Sequence, residues 1–164
     1  MKTLILIRHA KSSWADPDQS DFDRPLNERG RRDAPEMAKR LLEKKFKIDQ
    51  IIYSPALRTT ETMMVFKEVL KIDTKNCLSI EELYHAPLFI LNETIRDIDH
   101  KNNTVILIGH NPGITELANS LTNLRTDNMP TCSIFTVQSD CNNWTEFSSA
   151  KKEFLFFDYP KLKP

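Results

Sequence analysis

Four basic side chains stand out because each closely follows a short apolar run of the chain. Arg8 and His9 come directly after the first run, Arg58 lies shortly after the second, and His110 follows the third. Arginine presents a planar fork of donors that matches phosphate oxygens. Imidazole can attack as a nucleophile when neutral and donate a proton when charged. Together these side chains predict covalent phosphoryl transfer without a metal.

The four side chains also influence one another's charge. Neighbouring arginines lower the pKa of a histidine by repulsion, which keeps the ring neutral and nucleophilic, whereas a bound phosphate dianion favours the protonated ring. A single histidine or arginine at a strand end is often a solvated or hydrogen-bonded residue without a catalytic role, so the prediction depends on all four together. Gly109 and Gly113 flank His110, which indicates a sharp turn or a close approach of the backbone to a ligand.

The three apolar runs, residues 4–7, 51–53 and 105–108, predict strands buried on both faces. Helical periodicity lies between them. We expect Pro35 in the first turn of a helix capped by Asp33, a second helix just after Pro55, a third over residues 88–99, and a fourth from Pro112 to about Leu121.

Strand signals dominate the last part of the chain, at residues 133–137, 145–148 and 154–157, and we expect the first and last to join the sheet. Strands that alternate with helices predict one α/β domain over residues 1–164 with a largely parallel sheet. Ligands bind at the carboxyl ends of the strands in such sheets. The four basic side chains are therefore expected to meet in one pocket. Residues 16–24 are interpreted as a polar, acidic loop.

Composition narrows the possible partners and cofactors. The 23 basic and 23 acidic side chains balance. Because nucleic-acid binding needs a basic excess, nucleic acid is not an expected partner. No apolar run has membrane-spanning length, and the start lacks the apolar core of a secretory signal, so we expect a cytoplasmic protein with no membrane partner. The three cysteines, Cys77, Cys132 and Cys141, fit neither a disulfide framework nor a zinc site. No cofactor is expected.

Four segments resemble, in the same order, the sequence boxes of the histidine phosphatase superfamily, the phosphoglycerate-mutase-like proteins. They are residues 6–12, 24–30, 54–62 and 109–110, and the resemblance extends from residue 3 to about residue 120. It implies a three-layer α/β/α sandwich around a mostly parallel sheet. It also implies a metal-independent phosphatase that works through a covalent phosphohistidine.

The resemblance assigns a role to each matching position. His9 resembles the nucleophile, Arg8 and Arg58 resemble clamps on the phosphoryl oxygens, and His110 resembles the second imidazole, which donates to those oxygens. The remaining assignments are Ser12 and Asn111 as further substrate-binding residues, and Glu82 rather than Glu81 as the general acid. An alternative for both glutamates stays open, namely that they are exposed carboxylates at an edge of the fold.

Two departures resemble the short bacterial phosphohistidine phosphatase branch. Ala15 stands where many relatives have a phosphate-contacting asparagine, and only 51 residues separate Arg58 from His110. So short a stretch leaves little room for a capping insertion. An open site of this kind would admit a phosphorylated side chain of a protein. His85 and His100 lie outside the boxes and are interpreted as surface residues.

The predicted function is hydrolysis of protein phosphohistidine or of a phosphomonoester. The expected partner is a phosphorylated protein or a small phosphorylated metabolite. Two alternatives remain, a non-catalytic phosphate-binding scaffold and, less favoured, a phosphomutase. The presence of both His9 and His110 favours the enzyme, because a protein that only binds phosphate has no need of both.

Overall fold

A single six-stranded sheet organises the structure, a computed structural model that describes residues 1–162. The strands are β1 (Lys2–Arg8), β2 (Gln50–Tyr53), β3 (Cys77–Ser79), β4 (Thr104–Gly109), β5 (Ile134–Ser139) and β6 (Lys152–Asp158). The helices are α1 (Glu28–Glu43), α2 (Leu57–Leu70), α3 (Leu88–Arg96) and α4 (Gly113–Leu121).

The strand order is β3-β2-β4-β1-β5-β6. β1, β2, β3 and β4 run parallel, whereas β5 is antiparallel to β1 and β6 is antiparallel to β5. All strands except β5 therefore point in one direction. The prediction of a mostly parallel sheet is confirmed.

Successive side chains of β1 enter two different cores, because neighbouring residues of a strand point to opposite faces. Leu4 and Leu6 pack in the core that contains the apolar faces of α3 and α4. Ile5 and Ile7 pack in the other core, with the apolar face of α1 and with Met63 and other residues of α2. Helices thus cover both faces of the sheet, which confirms the three-layer α/β/α sandwich.

The register of the three central strands brings their carboxyl ends together. Arg8 at the end of β1 lies opposite Gly109 at the end of β4. Tyr53 at the end of β2 lies opposite Ile108 of β4. The chain segments that leave these strands therefore start from neighbouring points on one edge of the sheet, as the sequence predicted.

The predicted start of α1 is wrong. Pro35 lies inside the helix, whose cap is Asn27, and the Asn27 side chain accepts a hydrogen bond of 2.9 Å from the backbone N–H of Gly30. Asp33 is buried within the helix, where its carboxylate pairs with Arg32. Pro35 removes one helical donor, but burial of the residues around it keeps the helix intact.

The predicted strand at residues 145–148 is also wrong, because Trp144–Glu146 forms a short 3-10 helix instead. Trp144 and Phe147 are three positions apart and pack together, with ring centroids 5.0 Å apart. Burying two side chains at this spacing favours a helical turn over an extended strand. The sequence did not indicate β3, a three-residue edge strand with two exposed side chains.

No helix within residues 1–162 is long and apolar enough to cross a membrane. All three cysteines have free thiols. The one-domain range and the cytoplasmic location stay predictions, and the last two residues of that range lie outside the described residues.

Candidate active site

His9 is the first residue after β1, and its ring is nearly enclosed, with 7% of the residue exposed. Its Nδ1 lies 2.8 Å from the carbonyl oxygen of Ala10. Because a carbonyl only accepts, we assign the ring proton to Nδ1, which leaves a lone pair on Nε2. Arg58 Nε donates to this Nε2 over 3.4 Å. His9 is therefore held in the tautomer that can act as a nucleophile.

The first turns of α2 fix the backbone next to His9. Thr62 is fully buried, and its hydroxyl accepts a hydrogen bond of 3.0 Å from the backbone N–H of Ala10. The same hydroxyl donates to the carbonyl oxygen of Arg58 over 2.7 Å. One side chain thus ties the end of β1 to the helix that carries Arg58. The sequence analysis did not identify Thr62, although it lies within the second family-like segment.

His110 follows β4 and shares the pocket with His9, with 5.2 Å between their ring centroids. Its Nε2 lies 2.7 Å from the hydroxyl of Ser54, which is fully buried at the end of β2. Its Nδ1 is buried and has no hydrogen-bond partner within residues 1–162. Ser54 therefore orients the second imidazole, a role that the sequence analysis did not assign.

Both imidazoles are neutral at physiological pH. The pKa of His9 is lowered to about 3, mainly by burial; the hydrogen bond to the Ala10 carbonyl opposes this shift, and the positive charges of Arg58, Arg8 and Arg24 add to it. Burial also lowers the pKa of His110 to about 2, together with repulsion from His9 and Arg58. The predicted effect of neighbouring arginines on the nucleophile is present, but burial is the larger cause.

Arg8, His9, Arg58 and His110 form what we call the basic cluster. Arg58 is its most deeply buried cation, with 2% of its surface exposed. Its Nη1 donates to the carbonyl oxygen of Asp21 over 2.6 Å, and its Nη2 donates to the carboxylate of Asp21 over 3.1 Å. Its Nε faces His9. All three nitrogens of the guanidinium are therefore engaged, two of them by oxygens of a single residue.

Asp21 is the anion of the cluster, and the sequence analysis treated it only as part of an acidic loop. Besides Arg58, its carboxylate accepts hydrogen bonds from Arg24, the Tyr84 hydroxyl and His85 Nε2. Desolvation alone would raise the pKa of Asp21, but the hydrogen bonds from Tyr84 and His85 and the charge of Arg58 outweigh it and lower that pKa. The carboxylate is therefore ionised. Its only sequence signal was its position three residues before Arg24.

Arg8 approaches the cluster from another side. Its Nη1 donates to the carbonyl oxygen of Met129 over 2.8 Å, and its buried Nε has no partner in the described part of the chain. Burial lowers the pKa of Arg8, as do the positive charges of Arg29 and Arg58. The structure thus places all four predicted basic residues at one edge of the sheet, around His9.

The other two predicted substrate-binding residues hold the protein's own groups. The Ser12 hydroxyl accepts a hydrogen bond of 2.6 Å from Arg24 Nη1. Asn111 donates to the carbonyl oxygen of Met129 over 3.1 Å and accepts from the Thr115 hydroxyl over 2.6 Å. Direct contact of either side chain with a substrate stays a prediction.

Glu82 is exposed on a short 3-10 helix, Glu81–Leu83. Within residues 1–162 its carboxylate makes no hydrogen bond or ion pair with the basic cluster, and its role as general acid stays a prediction. The next residues do reach the cluster. The ring centroids of Tyr84 and His85 lie 5.5 Å and 5.0 Å from that of His110. The interpretation of His85 as a surface residue is incomplete, because a half-exposed side chain there borders the site.

The predicted turn beside His110 is present at residues 111–112, between the two glycines, but neither glycine has a positive φ angle. A methyl group on Gly113 would lie 2.2 Å from the carbonyl oxygen of Ala86, whereas one on Gly109 would make only ordinary contacts. Gly113 therefore allows α4 to pack closely on the backbone next to His85. Gly113 thus allows a close approach within the protein, and close approach of a ligand to either glycine stays a prediction.

Within residues 1–162, no group of three or more histidine, cysteine, aspartate and glutamate side chains is arranged to bind a metal ion. Arg8, Arg24 and Arg58 carry positive charge at the site.

The amino-acid sequence is similar to that of a known protein family and to that of one plant protein. The sequence pattern of the histidine phosphatase superfamily (branch 1) matches residues 4–86. An uncharacterized chloroplastic protein of Arabidopsis thaliana is 31% identical over 157 residues, which cover 88% of this chain and 70% of that protein.

Solved structures share the fold at lower identity. A SixA protein from Agrobacterium tumefaciens matches with a TM-score of 0.84 at 24% identity, over 97% of this chain and 98% of that chain. The protein histidine phosphatase SixA complexed with tungstate matches with a TM-score of 0.81 at 21% identity, over 96% and 97% of the two chains. A mycobacterial glucosyl-3-phosphoglycerate phosphatase matches with a TM-score of 0.65 at 14% identity, over 94% and 97%. The predicted phosphoglycerate-mutase-like fold is confirmed.

The neutral histidines predict a loss of stability in acid. An unfolded chain protonates histidine near pH 6.5, whereas folded His9 stays neutral down to a pKa of about 3. The unfolded state therefore binds more protons below pH 6.5, and the free energy of unfolding falls as pH falls. Between pH 7 and pH 5, we expect the free energy of unfolding of wild type to fall by about 2 kcal/mol more than that of His9→Asn.

The measurement is urea unfolding at both pH values in phosphate-free buffer, because a bound anion would oppose the effect. His100 is exposed, so His100→Asn should behave as wild type does. Equal losses for His9→Asn and wild type would contradict the assignment of a neutral His9.

Proposed function

Because the chain belongs to the histidine phosphatase superfamily, we propose that it hydrolyses protein phosphohistidine, or else a phosphomonoester, through a covalent phosphohistidine on His9. Family membership supports phosphatase activity. The observation that carries the mechanism is the state of His9, a neutral ring with its Nε2 lone pair directed at the guanidinium of Arg58. A nucleophile in this form needs no base to activate it.

In the first step, His9 Nε2 attacks the phosphorus, and the bond from phosphorus to the leaving group breaks as the new P–N bond forms. Arg58 and Arg8 bind the phosphoryl oxygens, on which negative charge is concentrated. Such preorganised donors are typically worth about 10² to 10³ in rate each. Arginine suits this role because its charge persists at any relevant pH.

Asp21 and a phosphoryl group compete for Arg58. The carbonyl and carboxylate oxygens of Asp21 bind two of the three guanidinium nitrogens. A phosphate dianion and an ionised carboxylate repel each other when both lie next to the same guanidinium. We therefore expect the phosphoryl oxygens to weaken or replace the contacts of Asp21 with Arg58 as substrate binds.

His110 supports the charge of the bound group. Its pKa is low while the site holds no dianion, because burial and the neighbouring cations oppose protonation. A dianion reverses that balance, so the ring takes up a proton and donates to a phosphoryl oxygen. Ser54 holds the ring in place through Nε2. In the second step, water attacks the phosphorus of phosphohistidine, the P–N bond breaks, and inorganic phosphate leaves with His9 restored.

Protein phosphohistidine is the substrate that the fold favours. The stretch between α2 and β4 forms β3 and α3, and Leu91 and Ile95 of α3 are buried in the core against α4. Of the rest of this stretch, Tyr84 and His85 border the site, with ring centroids 5.5 Å and 5.0 Å from that of His110. One solved relative of the same fold is a protein histidine phosphatase. A phosphomutase is less favoured, because it needs an enclosed site that retains its intermediate. A binding scaffold is also less favoured, because it needs no histidine in the nucleophilic tautomer.

The mechanism is tested by His9→Ala, assayed for hydrolysis of p-nitrophenyl phosphate in the presence of EDTA. We expect wild type to retain its rate in EDTA, because arginines supply the positive charge, and His9→Ala to lose nearly all turnover while still binding tungstate. His100→Ala is the matched control, since the side chain of His100 is 81% exposed. Retained hydrolysis in His9→Ala, or turnover that requires a metal, would refute the mechanism.

A second prediction concerns the proton for the leaving group. We propose that Glu82 donates this proton. His85 is the other candidate, because its ring lies beside His110 and is half-exposed at the mouth of the site. Nitrophenolate leaves without a proton, whereas the alkoxide of phosphoserine needs one. We expect Glu82→Gln to slow phosphoserine hydrolysis about 10²-fold or more while p-nitrophenyl phosphate hydrolysis changes little.

His85→Asn is measured in parallel on the same two substrates. If His85→Asn loses hydrolysis of phosphoserine alone and Glu82→Gln hydrolyses both substrates as wild type does, the general acid is His85 rather than Glu82.

A further inference from the structure

A second basic surface lies next to the catalytic cluster and shares Arg8 with it. It is a groove of about 610 Å³ between α1 on one side and residues 128–131 and 159–161 on the other. We call it the basic groove; its cationic side chains are Arg8, Lys11, Arg29, Arg32 and Lys161. Nothing in the catalytic steps uses the last four.

The carboxylates of the basic groove neutralise only part of its positive charge. Asp33 is buried and pairs with Arg29 at 3.7 Å and with Arg32 at 3.3 Å. Glu36 pairs at 2.5 Å with Arg40, which lies outside the groove. Both acidic side chains are therefore already matched by cations.

The excess charge resides on the remaining cations of the groove. Within residues 1–162, neither Lys11 nor Lys161 forms an ion pair with an acidic side chain. The buried Nε of Arg8 also has no hydrogen-bond partner in that part of the chain. The charge of Arg29 contributes to the lowered pKa of Arg8, as expected of cations that face each other with too few anions between them.

The walls of the groove are held in place. Arg29 Nη2 donates to the Thr131 hydroxyl over 3.2 Å, and Arg8 Nη1 donates to the carbonyl oxygen of Met129 over 2.8 Å. Both bonds tie the loop of residues 128–131 to the cationic side. Two arginines are therefore oriented before any ligand arrives, which reduces the entropy lost on binding.

The shape of the groove indicates what binds there. Arg29, Arg32 and Glu36 line one face of α1 and span eight residues, or about 10 Å along the helix. This length exceeds a single phosphate and suits an extended peptide segment. Arg8 lines the groove and its charge also acts on His9, so a chain whose phosphorylated residue enters the site can continue along α1.

We propose that the basic groove binds acidic side chains that flank the phosphorylated residue of a protein substrate. This inference rests on the proposed phosphatase function. Opposite charges steer association and raise the local concentration of substrate. The groove therefore lowers the KM for acidic substrates and leaves the chemical step to His9, and its contribution weakens as salt screens the charges.

The test compares two synthetic phosphohistidine peptides that differ only in four flanking positions, all glutamate in one and all glutamine in the other. We expect wild type to prefer the glutamate peptide in kcat/KM by about fivefold or more at low salt, from several exposed ion pairs of modest strength each. The preference should reside in KM and decline with added salt. Lys11→Ala/Arg32→Ala should lose most of it.

Arg31→Ala/Lys39→Ala is the matched control, because both side chains are exposed on α1 and neither lines the groove. This control should keep the preference. Equal hydrolysis of the two peptides by wild type, or an equal preference in both double variants, would overturn the inference. Hydrolysis of the glutamine peptide by wild type reports on the proposed function separately: if wild type cleaves neither peptide nor p-nitrophenyl phosphate, the phosphatase proposal itself fails.

Discussion

The site depends on a buried cation placed next to a histidine that must stay neutral. Arg58 is almost fully buried, and a buried charge is tolerated only when it is paired and hydrogen-bonded. Asp21 supplies that pairing through both its carbonyl and its carboxylate. The same positive charge, together with burial, holds the pKa of His9 far below its usual value. The pairing of Arg58 with Asp21 and the neutral state of His9 therefore both follow from burial of this site.

This arrangement makes Asp21 and a phosphoryl group competitors for the same guanidinium. Asp21 begins a short 3-10 helix, Asp21–Asp23, and its carboxylate is also held by Arg24, Tyr84 and His85. Those bonds link Asp21 to segments that border the site. On the other side, Thr62 fixes the backbone beside His9, and Ser54 orients the ring of His110.

The sequence predicted the parts of the molecule that depend on local patterns. Continuous apolar runs identified β1, β2 and β4, and parallel pairing then required their carboxyl ends, with Arg8, His9 and His110, to meet. The sequence did not predict the role of Asp21, because that role arises from contacts with Arg58, which is distant from Asp21 in the sequence. The start of α1 was misplaced because Pro35 is a strong local signal, yet tertiary burial overrides it. Edge strand β3 is too short to produce a pattern.

The most direct test of the account is to trap the covalent intermediate. Wild-type enzyme is mixed with excess substrate, quenched in base during turnover, digested, and mapped by mass spectrometry. Phosphohistidine survives base and is lost in acid. The account predicts an acid-labile, base-stable phosphate on His9. Continued turnover with no phosphate on His9, or with phosphate on another residue, would contradict it.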